Sequence, residues 1–173
     1  MSKESLRQSR KAARLSLSRS EVEDKSQAIT ENLKLAVDWR QISNLHCFLP
    51  IAELNEVDTR GLLEFIWAEF PNIVTYTSPK SKDEWRVERI NPGFTKTSAT
   101  ETPKFDVVVV PMLGFDEKLH RLGYGGGNYD RFLASQPQAR KIGVCFELGR
   151  LESIPSEPHD IMLDQVVTEK GTG

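Results

Sequence analysis

Phe105-Asp106-Val107-Val108-Val109-Val110 is the stretch whose reading decides the fold. Four consecutive valines show no alternation of apolar with polar residues, so the segment predicts a strand covered on both faces, as in a parallel sheet between layers of helices. The flanking chain agrees. Leu45 to Leu49 is a second apolar run, ending at Pro50, where the missing N–H closes a strand. Residues 73–76, 142–146 and 165–168 read as further strands, and 85–90 as a short one inside a polar stretch, 78–102, of loops. Ser2 to Leu17 predicts a helix with Lys3, Arg7, Arg10 and Arg14 on one face and Leu6, Ala13 and Leu17 beside them. Ser18 with Glu21, or Ser20 with Glu23, forms a capping box for a second helix running to about residue 38. Asp58 or Thr59 caps a third, whose core face is Leu62, Leu63, Ile66, Trp67 and Phe70. Strands alternating with helices define an α/β chain.

In such sheets ligands bind beyond the carboxyl ends of the strands. The segment there is Arg121-Leu-Gly-Tyr-Gly-Gly-Gly-Asn-Tyr-Asp-Arg131. Gly123, Gly125, Gly126 and Gly127 free the backbone to turn its N–H groups toward an anion, and a helix starting near Tyr129 adds unpaired donors. Arg121 and Arg131 flank the loop. Asp130 suits a phosphate site only with a cation between, and Mg²⁺ commonly bridges carboxylates to substrate phosphates. The alternative is a tight surface turn with capping glycines. Neither G-x-x-x-x-G-K-[ST] nor the Rossmann spacing is present, because Asn128 stands where the third Rossmann glycine belongs.

Composition narrows the function. The chain has 173 residues and a formal net charge of −2, which offers no global attraction to nucleic acid or anionic membrane. That length predicts a single domain, residues 1–173. Six cations against Glu4 alone crowd the first nineteen residues, a pattern also met in organellar presequences. Cys47 and Cys145 lie in apolar segments and suit a reducing compartment. With only His46, His120 and His159 besides, a zinc site is not indicated. No run of residues suggests a membrane span or a signal-peptide core. A soluble, cytoplasmic, monomeric protein acting on small molecules is expected.

The runs Pro111-Met-Leu-Gly-Phe-Asp116 and Arg121 to Arg131 together resemble the signature of the 5-formyltetrahydrofolate cyclo-ligase family. The likeness extends to Lys3-x-x-x-Arg7 and Arg14, to Glu56-Val-Asp-Thr59, and to Pro155-x-Glu-x-His-Asp-x-x-x-Asp164 with Thr168-Glu169. It implies a three-layer α/β sandwich of the NagB/RpiA/CoA-transferase-like kind, with a largely parallel central sheet and helices on both faces. It also implies a reaction: 5-formyltetrahydrofolate and ATP give 5,10-methenyltetrahydrofolate, ADP and phosphate, with Mg²⁺ as cofactor. Carried over residue by residue, Lys3, Arg7, the loop Gly123-Tyr124-Gly125-Gly126-Gly127-Asn128, Tyr129 and Arg131 would contact ATP. Ile51, Glu56, Trp85, Phe115 and Tyr129 would contact the folate, Tyr129 and Arg131 would stand at the reaction centre, and Asp130 with Asp164 would hold Mg²⁺. An acid at 56 makes chemical sense, because a carboxylate accepts two parallel hydrogen bonds from an aminopyrimidine edge. Trp85 reads equally as a core tryptophan.

The sequence departs from the family pattern at four places. Leu119 replaces a glycine, so its turn is expected to avoid positive φ; Asn128 replaces an aromatic, Gly149 a glutamine and Asn91 a glutamate. Two other functions stay open on this reading: a non-catalytic nucleotide- or folate-binding paralogue, and a sugar-phosphate isomerase-like protein that needs no ATP.

Overall fold

The computed structural model describes residues 1–79 and 85–173, so residues 80–84 of the expected 78–102 loops lie outside the described residues. In chain order the elements are helices α1 (Lys3–Leu15) and α2 (Arg19–Ala36), strand β1 (Asn44–Cys47), helix α3 (Arg60–Glu69) and strands β2 (Val74–Thr77), β3 (Glu88–Asn91), β4 (Thr95–Ser98), β5 (Val107–Pro111), β6 (Gly114–Phe115) and β7 (Arg121–Leu122). Helix α4 (Asn128–Ala134) and strands β8 (Arg140–Val144), β9 (Gln165–Thr168) and β10 (Gly171–Thr172) complete them.

The main sheet has the order β10-β9-β8-β5-β1-β2-β3-β4. Its middle five strands, from β9 to β2, run parallel, and β3, β4 and β10 add antiparallel edges. The valine run lies at the centre. Val107 and Val109 point into the core beneath α2 and α3, against Ile29, Leu33, Leu62 and Ile66. Val108 and Val110 point the other way, to Phe132 and Leu133 of α4 and to Phe105. A strand with cores on both faces needs the unbroken β-branched run that the sequence shows. The result is the expected three-layer sandwich.

Local chemistry fixes the helix ends. Ser18 and Glu21 form the capping box of α2, a motif that satisfies two orphan N–H groups at once. At α3 the Asp58 carboxylate accepts the N–H of Arg60, while the Thr59 hydroxyl donates to Phe48 O and ties the helix to the end of β1. Helix α1 lies over the carboxyl-terminal edge of the sheet, where Leu6 packs on Leu113, Leu122 and Ile154.

Two departures from the family pattern have structural causes. Leu119 does adopt a positive φ, 64°, contrary to the sequence expectation. The Asp116 carboxylate forces that turn by accepting the N–H groups of Lys118, His120 and Ile154, and it also meets His120 Nδ1 at 2.9 Å. At Gly149 a Cβ would collide with Cys145 Sγ and lie 2.9 Å from Leu113 O, so a glutamine has no room there. Among the described residues, no helix is long and apolar enough to cross a membrane.

Candidate active site

A cavity of about 440 Å³ opens at the carboxyl-terminal edge of the parallel strands, between the glycine loop, the start of α1 and the segments that follow β1 and β2. The topology alone dictates that position. Of the residues expected from sequence, Lys3, Arg7, Ile51, Glu56, Trp85, Tyr129 and Asp130 line it, as do all the loop residues from Gly123 to Asn128.

The loop is held from outside. Gly125 and Gly127 take φ of 96° and 66°, a region closed to most side chains. Arg7 Nε donates to Gly123 O at 3.0 Å, and a Cβ at Gly125 would press on the Arg7 guanidinium at 3.3 Å. Among the described residues the N–H groups of Gly123 to Gly127 donate to no protein acceptor, which leaves them for a ligand. Gly127 then opens α4.

One end of the cavity is charged. Arg121 Nη2 donates to Asp130 Oδ1 at 2.9 Å, and the same oxygen accepts the N–H of Ile161 at 3.3 Å. That bond brings the 157–161 segment against α4 and places Asp160 in the same cavity as Asp130. Lys3 Nζ donates to Asp160 at 2.6 Å and to Glu157 at 3.1 Å. Burial opposes the Lys3 charge, but these two carboxylates outweigh it and raise its pKa. Burial likewise acts to raise Asp160, and the Lys3 hydrogen bond and the Glu157 N–H overcome it, holding the carboxyl below its ordinary range. Ligand atoms of Glu157, His159 and Asp160 lie within 4.8 Å of one another.

The other end is aromatic, with one acid. Glu56 is 3% exposed. Its Oε2 accepts the N–H of Ile51 at 2.7 Å, and its Oε1 accepts the Tyr124 hydroxyl. Trp85 meets Tyr129 edge to face with ring centroids 5.0 Å apart, so it serves both readings: it packs on Phe132 and lines the cavity. The indole N–H of Trp85 is buried without a partner among the described residues. Burial raises the Tyr129 pKa well above its ordinary value, which keeps the phenol protonated as a donor. Behind it lies His46, whose pKa burial lowers to about 3 and whose Nε2 meets Ser78 Oγ at 2.9 Å. A neutral imidazole there supports the wall and adds no charge.

Three expected site residues lie elsewhere. Asp164 directly precedes β9, so it sits at the opposite, amino-terminal edge of the sheet; its carboxylate accepts the N–H of Lys141 at 2.7 Å. Asp160, four residues earlier, takes its place in the cavity. Phe115 is buried in the core, with the Arg150 guanidinium 4.8 Å from its ring centre. Arg131 is exposed, and its guanidinium folds back onto Asn128 Oδ1 instead of lining the cavity. Sequence reasoning also passed over Phe48 and Ser78, which line the cavity just past β1 and β2, and gave no site role to His159, which reaches it from the long segment between β8 and β9. Proximity to Pro50 and to the His-Asp pair was the only available signal.

Open backbone donors with arginine and lysine at one end, and a buried acid among aromatic rings at the other, define an α/β protein whose cleft suits an anion at one end and a flat ring at the other. Within that class the chain belongs to the 5-formyltetrahydrofolate cyclo-ligase family, whose model matches residues 1–169. It is 26% identical over 175 residues to the probable 5-formyltetrahydrofolate cyclo-ligase of Schizosaccharomyces pombe, covering 85% of each chain. The structure is similar to the 5,10-methenyltetrahydrofolate synthetase of Aquifex aeolicus, with a TM-score of 0.80 at 26% identity, covering 99% of this chain and 92% of that one. It shares its fold with the Mycoplasma pneumoniae synthetase, with a TM-score of 0.78 at 24% identity, covering 98% of this chain and 99% of the other. The family consists of cyclo-ligase enzymes.

Proposed function

We propose that residues 1–173 act as one cyclo-ligase domain that converts 5-formyltetrahydrofolate and ATP to 5,10-methenyltetrahydrofolate, ADP and phosphate. The single observation that carries the reading is the pairing, in one cavity, of the open glycine loop with the buried Glu56 carboxylate. In this reading the loop amides, Lys3, Arg7 and Arg121 bind the triphosphate. Phosphoryl transfer asks a protein mainly for positioning and charge neutralisation, which this set supplies. Glu56 and Ile51 receive the pterin edge, and Trp85 and Tyr129 wall the folate so that water is kept from the activated carbon.

The reaction balances without a protein nucleophile. The formyl oxygen attacks the γ-phosphorus and ADP leaves; N10 then adds to the formyl carbon and loses its proton. The C–O bond breaks, phosphate departs with the former formyl oxygen, and the N5–CH–N10 bridge remains. Cys47 and Cys145 take no part, because both are buried and burial pushes their thiols up to about 12.

Mg²⁺ fits the carboxylates that the structure brings together, since hard oxygen donors suit it. Asp130 and Asp160 would hold it, and when bound it would neutralise the charge on the phosphates. In the structure each of these carboxylates has its own cation, Arg121 or Lys3. Both cations line the same cavity and, with Mg²⁺ bound to their partners, would serve the phosphates instead. The buried free thiols suit the reducing cytoplasm, and we read the chain as a monomer. Purified protein incubated with 5-formyltetrahydrofolate and MgATP tests the function. Methenyltetrahydrofolate absorbance and ADP rising in equal amounts support it; nucleotide binding without product would leave only a binding paralogue.

A further inference from the structure

Tyr124 belongs to the glycine loop by sequence, yet its side chain leaves the loop. Although the residue is 42% exposed, its hydroxyl is enclosed between Arg14 and Glu56, which are 5% and 3% exposed. Arg14 Nη1 donates to the hydroxyl oxygen at 2.8 Å, and the guanidinium carbon lies 5.5 Å from the centre of the Tyr124 ring. The direction of the chain is forced. Arginine has no acceptor and an ionised carboxylate no donor, so the phenol must accept from Arg14 and give its one proton to Glu56. Burial and the neighbouring Glu56 raise the phenol pKa, which keeps that proton in place.

This chain joins three parts of the cavity wall. Arg7 already fastens α1 to the loop through Gly123 O. Asn55 Nδ2 donates to the carbonyls of Arg14 and Leu17, fastening the segment that carries Glu56 to the end of the same helix. Tyr124 closes the triangle between loop and acid. The phenol is also the partner that Arg14 most needs, because Nε and Nη2 of this buried guanidinium have none among the described residues.

We propose that Tyr124 is a positioning residue: held by Arg14, it fixes the Glu56 carboxylate for the pterin and ties folate recognition to the placement of the nucleotide loop. The proposal rests on the cyclo-ligase reading and on Glu56 as the pterin acid. It follows that the Tyr124 side chain acts through Glu56 and not by touching nucleotide, and that nucleotide and folate each tighten the other's binding by the same factor.

Four forms of the full chain test this: wild type, Tyr124→Phe, Glu56→Gln and the double variant. Thermal melts establish folding, calorimetry gives the 5-formyltetrahydrofolate dissociation constant with and without a non-hydrolysable MgATP analogue and that of the analogue without folate, and initial rates give both KM values. Losing one hydrogen bond to a charged group should raise the folate dissociation constant about tenfold. The dissociation constant of the analogue measured without folate should move less than twofold, and the folate affinity gained on adding the analogue should shrink toward none. In the Glu56→Gln background the same substitution should add less than twofold. Arg14→Lys, which keeps the charge but not the planar fork, should reproduce the folate-specific loss. Multiplying effects in the double variant, or an analogue dissociation constant without folate that rises as much as the folate constant, would overturn the proposal while leaving the cyclo-ligase reading intact. A folded wild type that neither binds nor converts 5-formyltetrahydrofolate would overturn both.

Discussion

Exchanging one aspartate at a time for asparagine at positions 160 and 164 separates two acids that stand four residues apart in sequence and at different edges of the sheet. Asp164 is 52% exposed at its side chain and accepts the Lys141 N–H at 2.7 Å, with the Lys141 ammonium 3.9 Å away. Asparagine retains an acceptor oxygen there, so the loss is charge assistance alone, about 0.5 to 1 kcal/mol. For a chain of this size that lowers Tm by roughly 1 to 4 °C. Asp160 is 22% exposed at its side chain and bonds Lys3 at 2.6 Å and the Glu157 N–H at 2.7 Å. Removing its charge costs about 1 kcal/mol of stability at this half-open ion pair. The larger effect should fall on the metal. Weakening even the groups around metal ligands commonly costs ten- to hundredfold in affinity, so loss of a ligand should raise the Mg²⁺ concentration for half-maximal rate by about tenfold or more. The assay is initial rate against Mg²⁺ at saturating ATP and folate, with melts as the control. Asp130→Asn should resemble Asp160→Asn, and Asp164→Asn should leave the Mg²⁺ curve unmoved. An equal shift for Asp164→Asn would refute the assignment of the metal to the cavity carboxylates.

Two further outcomes follow from the titrating groups. The Asp160 carboxyl is depressed in the fold, so its contribution is fully present above the ordinary carboxylate pKa near 3.9 and is lost as pH falls through the lower folded value. The Lys3 pKa is raised, so its share is fully present below the ordinary lysine pKa near 10.4 and disappears as pH rises through the folded value. The protection of amides in the first turns of α1, taken relative to exchange from the unfolded chain at the same pH, should therefore hold between these limits and fall beyond either; a change centred near pH 7 would contradict the ion pair. Both thiols, buried and pushed up to about 12, should resist iodoacetamide at pH 8 in the native protein and react together in denaturant. Native labelling at the rate of a free thiol, read by mass, would show that the core is not closed over them.

The layers of the fold were legible because the valine run of β5 has one arrangement that buries both its faces, and because Ser18 and Glu21 announce the start of α2 by chemistry that needs no tertiary context. The glycine loop stood out by local chemistry too, whereas Glu56, an ordinary acid ahead of a helix, was singled out only through the resemblance of Glu56-Val-Asp-Thr59 to the family. Asp164 was misplaced, although the means to place it lay in the sequence. A residue directly ahead of a strand running parallel to β5 must sit at the amino-terminal edge, away from the ligand. Asp160 has the remaining length of chain to reach the cavity. Phe115 and Arg131 were assigned by their neighbours in a motif, whereas side-chain direction is set by what they touch, Arg150 in one case and Asn128 in the other. Leu119 could not be read as left-handed, because the three N–H groups that Asp116 gathers include that of Ile154, far along the chain. Tyr124 was assigned to nucleotide as a member of the glycine loop; the direction of its hydroxyl shows only in the bonds to Arg14 and Glu56.

The most direct test of the account follows one oxygen atom. The full chain is given 5-formyltetrahydrofolate labelled with ¹⁸O in the formyl group, together with MgATP, and the released phosphate is analysed by mass spectrometry. Activation of the formyl oxygen by the γ-phosphate predicts one labelled oxygen in every phosphate, matched one to one with methenyltetrahydrofolate. Unlabelled phosphate alongside methenyltetrahydrofolate would contradict it.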